Sequence, residues 1–177
     1  SLTIGICVRN CEEYLYANLQ LVNHICDLFR SVNIIFYENG SDDNSLYLLK
    51  KYSQKNKHVI LINENYVTDN YPRTVRLARG RNICLNIAKL IRNDIYIVLD
   101  FDDVVSGLDV NNILKCFSEP FKWGALFANQ KETYYDLWAL RTYDDWMNYD
   151  CWEAEAILGY DIAFNNKWKN VVIKLKR

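Results

Sequence analysis

The chain has 177 residues, 50% of them apolar and 24% charged, which is enough for one domain with a hydrophobic core and is not the composition of a disordered chain. Its 21 basic and 22 acidic side chains leave a net charge of −1, so the charge balance gives no broad attraction to nucleic acid or to an anionic membrane. The six cysteines form no Cys-x-x-Cys pair and only two histidines accompany them, which argues against a zinc site and for packed thiols in a reducing, cytoplasmic compartment.

Residues 2–8 predict a buried first strand. A helix follows from Asn10 or Glu12, its apolar residues Leu15, Leu19, Val22, Ile25, Cys26 and Phe29 spaced by three and four along one stripe. Residues 32–37 predict the second strand and 38–43 a turn, with Ser41 or Asp42 capping a helix to about Lys55. Residues 58–62 predict a third strand, 63–72 a polar loop, and Thr74 caps a long helix to about Ile91. Residues 95–99 predict the central strand, and Asp109 starts a short helix carrying Ile113, Leu114 and Phe117.

This alternation, with strands apolar throughout, predicts an α/β fold: a Rossmann-type, mostly parallel central sheet flanked by helices. After Pro120 the pattern changes. Residues 123–129 and 134–140 predict strands joined by a turn at 130–132, a small antiparallel addition in the C-terminal third. Residues 144–158 read as a weak helix and 170–176 as a final strand. No stretch approaches the roughly 20 apolar residues that span a membrane, and no secretory signal is visible. The chain opens at a strand without an initiator Met, as a processed or trimmed protein would.

Chemistry concentrates where the central strand ends, at Asp100-Phe101-Asp102-Asp103. Crowded carboxylates need a counter-charge, and a Mg²⁺ or Mn²⁺ ion that also holds a phosphate would supply it. In an extended segment Asp100 and Asp102 share one face and Phe101 takes the other. The alternative is a solvated loop. In an open parallel sheet, ligands bind beyond the carboxyl ends of the strands. Val8-Arg9-Asn10, Glu38-Asn39-Gly40, residues 63–66 and the acidic cluster all lie there. Gly-x-Gly-x-x-Gly and Gly-x-x-x-x-Gly-Lys are absent, so neither dinucleotide nor P-loop chemistry is indicated. A nucleotide-sugar pocket fits: Glu38 or Asp42 accepts from a base or ribose, and Asp102 holds a metal on a diphosphate that Arg79 or Arg81 clamps. Each residue has a structural alternative. Arg9 serves a sheet edge, Glu38 satisfies its own turn, Arg79 is solvated, Asp136 pairs with Arg141, and Trp138 belongs to a core.

Four motifs in order carry a resemblance: Tyr37-Glu38-Asn39-Gly40-Ser41-Asp42-Asp43, Arg76-Leu77-Ala78-Arg79-Gly80-Arg81-Asn82, Leu99-Asp100-Phe101-Asp102-Asp103 and Tyr135-Asp136-Leu137-Trp138-Ala139-Leu140-Arg141. Together they resemble the nucleotide-diphospho-sugar glycosyltransferases of the GT-A fold, in particular fungal capsule-associated mannosyltransferases and glycosyltransferases of large DNA viruses. The resemblance runs from residue 2 to about 141. It implies one glycosyltransferase domain over 1–177, with 1–103 binding the nucleotide and 104–177 serving the donor and acceptor side. Val8, Arg9, Glu38 and Asp42 would hold the nucleotide, and Arg76, Arg79 and Asn82 would face the diphosphate and donor sugar. Asp102 would hold Mn²⁺ or Mg²⁺ and so be catalytic, with Asp100 beside it on the metal or on ribose and sugar hydroxyls. Asp136 and Trp138 would line the donor and acceptor side.

The implied reaction moves a sugar from a nucleoside-diphosphate sugar, UDP ahead of GDP, to a glycan or protein-linked hydroxyl. In an inverting enzyme Asp136, or an acid between Asp144 and Glu155, is the general base. A retaining enzyme needs none, and the resemblance leans that way. Nucleic acid is not an implied partner. Fuller members continue with a Cys-Phe-Gly-Gly-type strand where this chain has 170–176, so it is either a compact member or one domain of a larger protein, placed in a host cytoplasm if viral. Two rivals explain less. A sugar nucleotidyltransferase needs a glycine-rich loop after the first strand, where Arg9-Asn-Cys-Glu-Glu13 stands. A non-catalytic sugar- or protein-binding domain leaves Asp100, Asp102 and Asp103 without a purpose.

Overall fold

A computed structural model describes residues 1–64, 73–105, 107–118 and 124–125 of the chain. Two compact units divide it, Ser1–Pro120 and Phe121–Arg177, and the fold below belongs to the first. The predicted elements after Pro120, and with them Asp136 and Trp138, lie outside the described residues.

The element order is β1 (Leu2–Val8), α1 (Glu12–Asp27), β2 (Val32–Glu38), α2 (Ser45–Lys55), β3 (Val59–Asn63), α3 (Arg73–Leu90), β4 (Ile95–Asp100), a single 3₁₀ turn (Asp103–Val105) and α4 (Asn111–Ser118). The four strands form one parallel sheet in the order β3-β2-β1-β4. An all-parallel sheet must be covered on both faces, and the sequence supplies that with strands that are apolar at successive positions. Leu2, Ile4, Ile6 and Val8 of β1 pack with Ile34 and Phe36 of β2 against Leu15, Val22 and Ile25 of α1 and Leu49 of α2. The opposite face belongs to α3, where Cys84 and Ala88 pack on Ile35 and Tyr37, with Cys7 and Tyr96 alongside.

Register levels the strand ends. Val8 lies opposite Glu38, Cys7 opposite Asp100, and Glu38 opposite Asn63. Strand order reverses between β1 and β4: β2 and β3 build out one way from β1, and the chain then returns to add β4 on the other side. A crevice opens at the carboxyl end of the sheet at such a reversal. Phe101 fastens this end of β4, since it is 2% exposed and meets Phe36 edge-on at 5.5 Å between ring centroids.

Several boundaries shift from the sequence reading for local reasons. Of the two expected starts α1 takes Glu12, since Asn10 adopts a positive φ of 52°, which Asn tolerates. α2 starts at Ser45, after a turn in which Gly40 also has a positive φ, so Ser41 and Asp42 do not cap it. β3 is displaced by one residue, to Val59–Asn63. α4 starts at Asn111, whose N–H donates to Asp109 Oδ1, so Asp109 caps the short helix from outside it.

α3 lies close enough to the sheet to require a glycine. A Cβ on Gly80 would sit 2.5 and 2.8 Å from ring carbons of Tyr37 and 2.9 Å from Cys7 Sγ. Tyr37 is buried and cannot yield freely. Gly80→Ala should therefore destabilise the fold: overpacking outweighs the gain in helix propensity by about 1–2 kcal/mol. A urea titration tests this through its midpoint, and a midpoint at or above wild type would mean that the helix has room to spare.

Candidate functional site

The first wall of the crevice is made by two loops that cap each other's helices. The N–H groups of Cys11 and Glu12, at the start of α1, donate to Ser45 Oγ and Asp43 Oδ2 of the β2–α2 loop. The N–H of Asn44, at the start of α2, donates to Glu12 Oε2, and that of Ser45 to Asp43 Oδ1. Asn44 Nδ2 adds a bond to Glu12 Oε1. Asn10 and the turn are tied as well, through Asn10 N–H to Ser41 Oγ and Asp42 N–H to Asn10 Oδ1. Helix starts leave N–H groups without intrahelical partners, and acidic side chains near them also answer the helix dipole. Here most of the partners come across from the neighbouring helix start, and Asp43 serves its own helix as well.

Glu38 locks the turn beneath. Its carboxylate is fully buried and accepts from Gly40 N–H at 3.3 Å, Ser41 N–H at 2.6 Å and the Asn63 side-chain amide. Both oxygens are thus engaged within the protein, and Glu38 does not line the crevice. Its placement is that of a residue shaping the turn. Asp42 is exposed and also stands outside the crevice walls.

The crevice is an open cavity of about 320 Å³, within the range of small-molecule sites. Five elements and the loops that follow them build it. The end of β1 gives Cys7, Val8 and Arg9, followed by Asn10 and Cys11 of the loop and Tyr14 of α1. β2 gives Tyr37 and Asn39 follows it; α3 gives Arg73, Arg76 and Leu77; Asp100, Phe101 and Asp102 come from β4 and its exit. Of the residues singled out from sequence, the structure brings Val8, Arg9, Arg76, Asp100 and Asp102 together here.

Arg79 and Asn82 do not join them. Arg79 lies about 4.5 Å further along the axis of α3 than Arg76 and is not among the residues that line the cavity. Arg79 instead holds Glu64 with two bonds, Nε to Oε2 at 3.0 Å and a terminal guanidinium nitrogen to Oε1 at 3.2 Å. Tyr37 donates to the same carboxylate at 2.9 Å. The Arg79 and Tyr37 bonds hold the Glu64 carboxyl below the usual carboxylate range. Burial, followed by the bond to Glu64, pushes the Tyr37 phenol up to about 12, so it stays a neutral donor at physiological pH.

The acidic side is ordered by protein partners. Asp100 is half exposed and pairs with Arg81 at 2.8 Å. Asp102 presents its main-chain carbonyl to Asn18 Nδ2 at 2.9 Å, which pins the chain as it leaves β4. Among the described residues no three His, Cys, Asp or Glu side chains gather as a metal cage. Two carboxylates on one cavity nonetheless suit Mg²⁺ or Mn²⁺, which are held by one or two carboxylates, substrate phosphate and water. The Cys84 thiol beside it, then burial, push the Cys7 thiol up, so Cys7 faces the cavity as a neutral group rather than a nucleophile.

Arg73 and Asn39 are two cavity residues suited to ligand contact that were given no individual role from sequence. Arg73 precedes Arg76 by three, so both sit on one face of the first turns of α3; that spacing was the available signal. Asn39 is 8% exposed, lines the cavity, and its Oδ1 has no hydrogen-bond partner. A buried acceptor left open beside a cavity marks a place where a ligand donor belongs.

The sequence model of Glycosyl transferase family 2 matches residues 3–172. The match covers nearly the whole chain, and the chain belongs to that family. Its activity is therefore glycosyl transfer, on an α/β fold with a central parallel sheet flanked by helices. No curated protein matches the chain. No described helix is long and apolar enough to cross a membrane.

The Glu64 pair gives a pH dependence of fixed sign. Its folded pKa lies below the ordinary 4.5, so its contribution is present above that value and is lost as pH falls through the folded one. Both partners are partly exposed, so the contribution should be under about 1 kcal/mol. Glu64→Gln should thus be slightly less stable than wild type at pH 7, with the gap closing towards pH ~3. Urea unfolding across that range measures it; a gap that stays constant would show that Glu64 is not held as the ion.

Proposed function

We propose, with membership of the glycosyl transferase family as the premise, that this crevice binds a nucleoside-diphosphate sugar and passes its sugar to the hydroxyl of a glycan or protein-linked acceptor. One observation carries the reading: arginines from β1 and α3 face two carboxylates from β4 across a single cavity at the sheet's reversal point. That arrangement matches a diphosphate bound through both side-chain cations and a carboxylate-held metal ion.

Asn39 takes the nucleoside. Its open Oδ1 accepts a base N–H, which uracil and guanine both offer, and UDP is favoured over GDP. Glu38 and Asp42 serve the nucleoside through the turn that carries Asn39. Arg9 and Arg76 take diphosphate oxygens, and Arg79 steadies the α3 wall through Glu64. Asn82 extends that wall towards the donor sugar. Asp102 and Asp100 would hold Mn²⁺ or Mg²⁺, which when bound neutralises charge on the leaving diphosphate. Arg81 holds Asp100 in place for that role. The arginines stabilise the same developing charge from fixed positions, so little reorganisation is needed as the sugar–phosphate bond breaks. Trp138 and Asp136, outside the described residues, keep the donor- and acceptor-side roles that the motif resemblance implies. In an inverting transfer Asp136, or an acid between Asp144 and Glu155, takes the acceptor proton; in a retaining one the leaving phosphate oxygen does. The motif order supports a likeness to the capsule-associated and viral enzymes.

Asp102→Asn should reduce metal-dependent donor turnover roughly a thousandfold or more while the fold persists. Donor hydrolysis at limiting Mn²⁺, with circular dichroism as the fold control, tests it. Wild-type-like turnover by the folded variant removes Asp102 from the metal. Asn39→Ala should weaken UDP and free uridine alike, by about 1–3 kcal/mol, because the lost contact lies on the nucleoside. Calorimetry with UDP- and GDP-sugars, with and without Mn²⁺, reads both the base and the cation. An Asn39→Ala variant with unchanged affinity for every nucleotide would place the base elsewhere.

A further inference from the structure

With the divalent ion that Asp100 and Asp102 would hold, the positive charge at the cavity is more than a diphosphate needs. Arg9, Arg73 and Arg76 line it, and none of them makes an ion pair among the described residues. Arg81 stands behind Asp100 and cancels it. Four arginines and a divalent ion together exceed three carboxylates (Asp100, Asp102 and the adjacent Asp103) and a doubly charged diphosphate. The position of two arginines sharpens the point. Arg73 and Arg76 occupy the first turn of α3, and that turn contains no acid. The positive end of a helix disfavours cations, and anions are the groups it attracts. Unpaired arginines at that end add to the same field, and nothing described there neutralises it. Asn39's buried, open acceptor in the same cavity independently marks it as a ligand site.

We propose that the substrate carries a second anionic group, a carboxylate or a phosphate monoester, in addition to its diphosphate, and that Arg73 receives it. The inference rests on the nucleotide-sugar reading and narrows it. Arg73 is exposed at the first residue of α3, whereas Arg9 and Arg76 are half-buried, so it is the arginine left at the mouth of the cavity. The anionic group has two chemical sources: an acidic donor sugar such as a uronic acid, or a phosphorylated acceptor. Either would meet Arg73 through charge-assisted, bidentate hydrogen bonds.

Calorimetry at fixed ionic strength with Mn²⁺ separates them. UDP-glucose is compared with UDP-glucuronate, and GDP-mannose with GDP-mannuronate. Glucose and glucose 6-phosphate are then titrated into protein already saturated with UDP. An acidic donor that binds roughly tenfold or more tightly than its neutral partner assigns the anion to the donor. Equal donors, with glucose 6-phosphate binding where glucose does not, assign it to the acceptor. In either case Arg73→Ala should bring the acidic-to-neutral ratio to about one. If nucleotides bind but neither comparison shows a preference, the inference is overturned and the nucleotide-sugar reading stands. A preference that survives in Arg73→Ala overturns the assignment to Arg73. If no nucleotide binds, both fall.

Discussion

Two helices begin side by side at the end of the sheet, and each depends on the other's loop for its caps. Asp43 and Ser45 serve α1, while Glu12 and Asp43 serve α2. Caps of this kind contribute about 1 kcal/mol each. Their larger effect is geometric. Because the bonds run between loops, neither the β1–α1 nor the β2–α2 connection can move without releasing the other. Buried Glu38 fixes the turn from below through Ser41 and Asn63, which extends the same constraint to the end of β3. The β1–β2 side of the cavity is thus set by backbone geometry before any ligand arrives.

The opposite side is set by packing and charge. Gly80 lets α3 approach Tyr37 and Cys7 closely, and this approach brings Arg73 and Arg76 over the cavity and Arg81 within reach of Asp100. Phe101, buried against Phe36, holds the acidic strand end while leaving the flanking aspartates at the surface. Alternation along β4 and its exit separates two placements: the ring is anchored in the core and the carboxylates line the cavity.

The sheet, its helices and the place of the acidic cluster were legible in the sequence, because burial on both faces forces continuous apolar strands and because ligands gather at strand ends. The alternation of Asp100, Phe101 and Asp102 also read directly. Roles that depend on which neighbour lies across a gap were not legible. Glu38 looks like a nucleoside acceptor until Asn63 is found opposite it, and that pairing exists only once β3 lies beside β2. Arg76, Arg79 and Asn82 look like one face at intervals of three, yet only Arg76 reaches the cavity, and Glu64 captures Arg79 from β3's exit. α2 has Asn44 as its N-cap residue, and Asp43 rather than Ser41 or Asp42 accepts from the N–H of Ser45, a pairing visible only once the turn is built. Asn39, within a motif read for its acids, stands out only when its buried oxygen is found without a partner.

The strand order also decides when the site comes into being. Leu2 pairs with Val32 and Ile34 with Val59, whereas Leu2's other partner is Ile95. Closing that longest loop carries the greatest entropy cost and the slowest contact to find. The three strands β1, β2 and β3, with the interlocked helix caps, can assemble from near neighbours in the chain. The carboxylates arrive only when β4 docks beside β1. A ligand that needs both sides of the cavity would therefore report the last strand to join, and a chain caught short of that step would display the β1–β2 wall with no carboxylates from β4 opposite it.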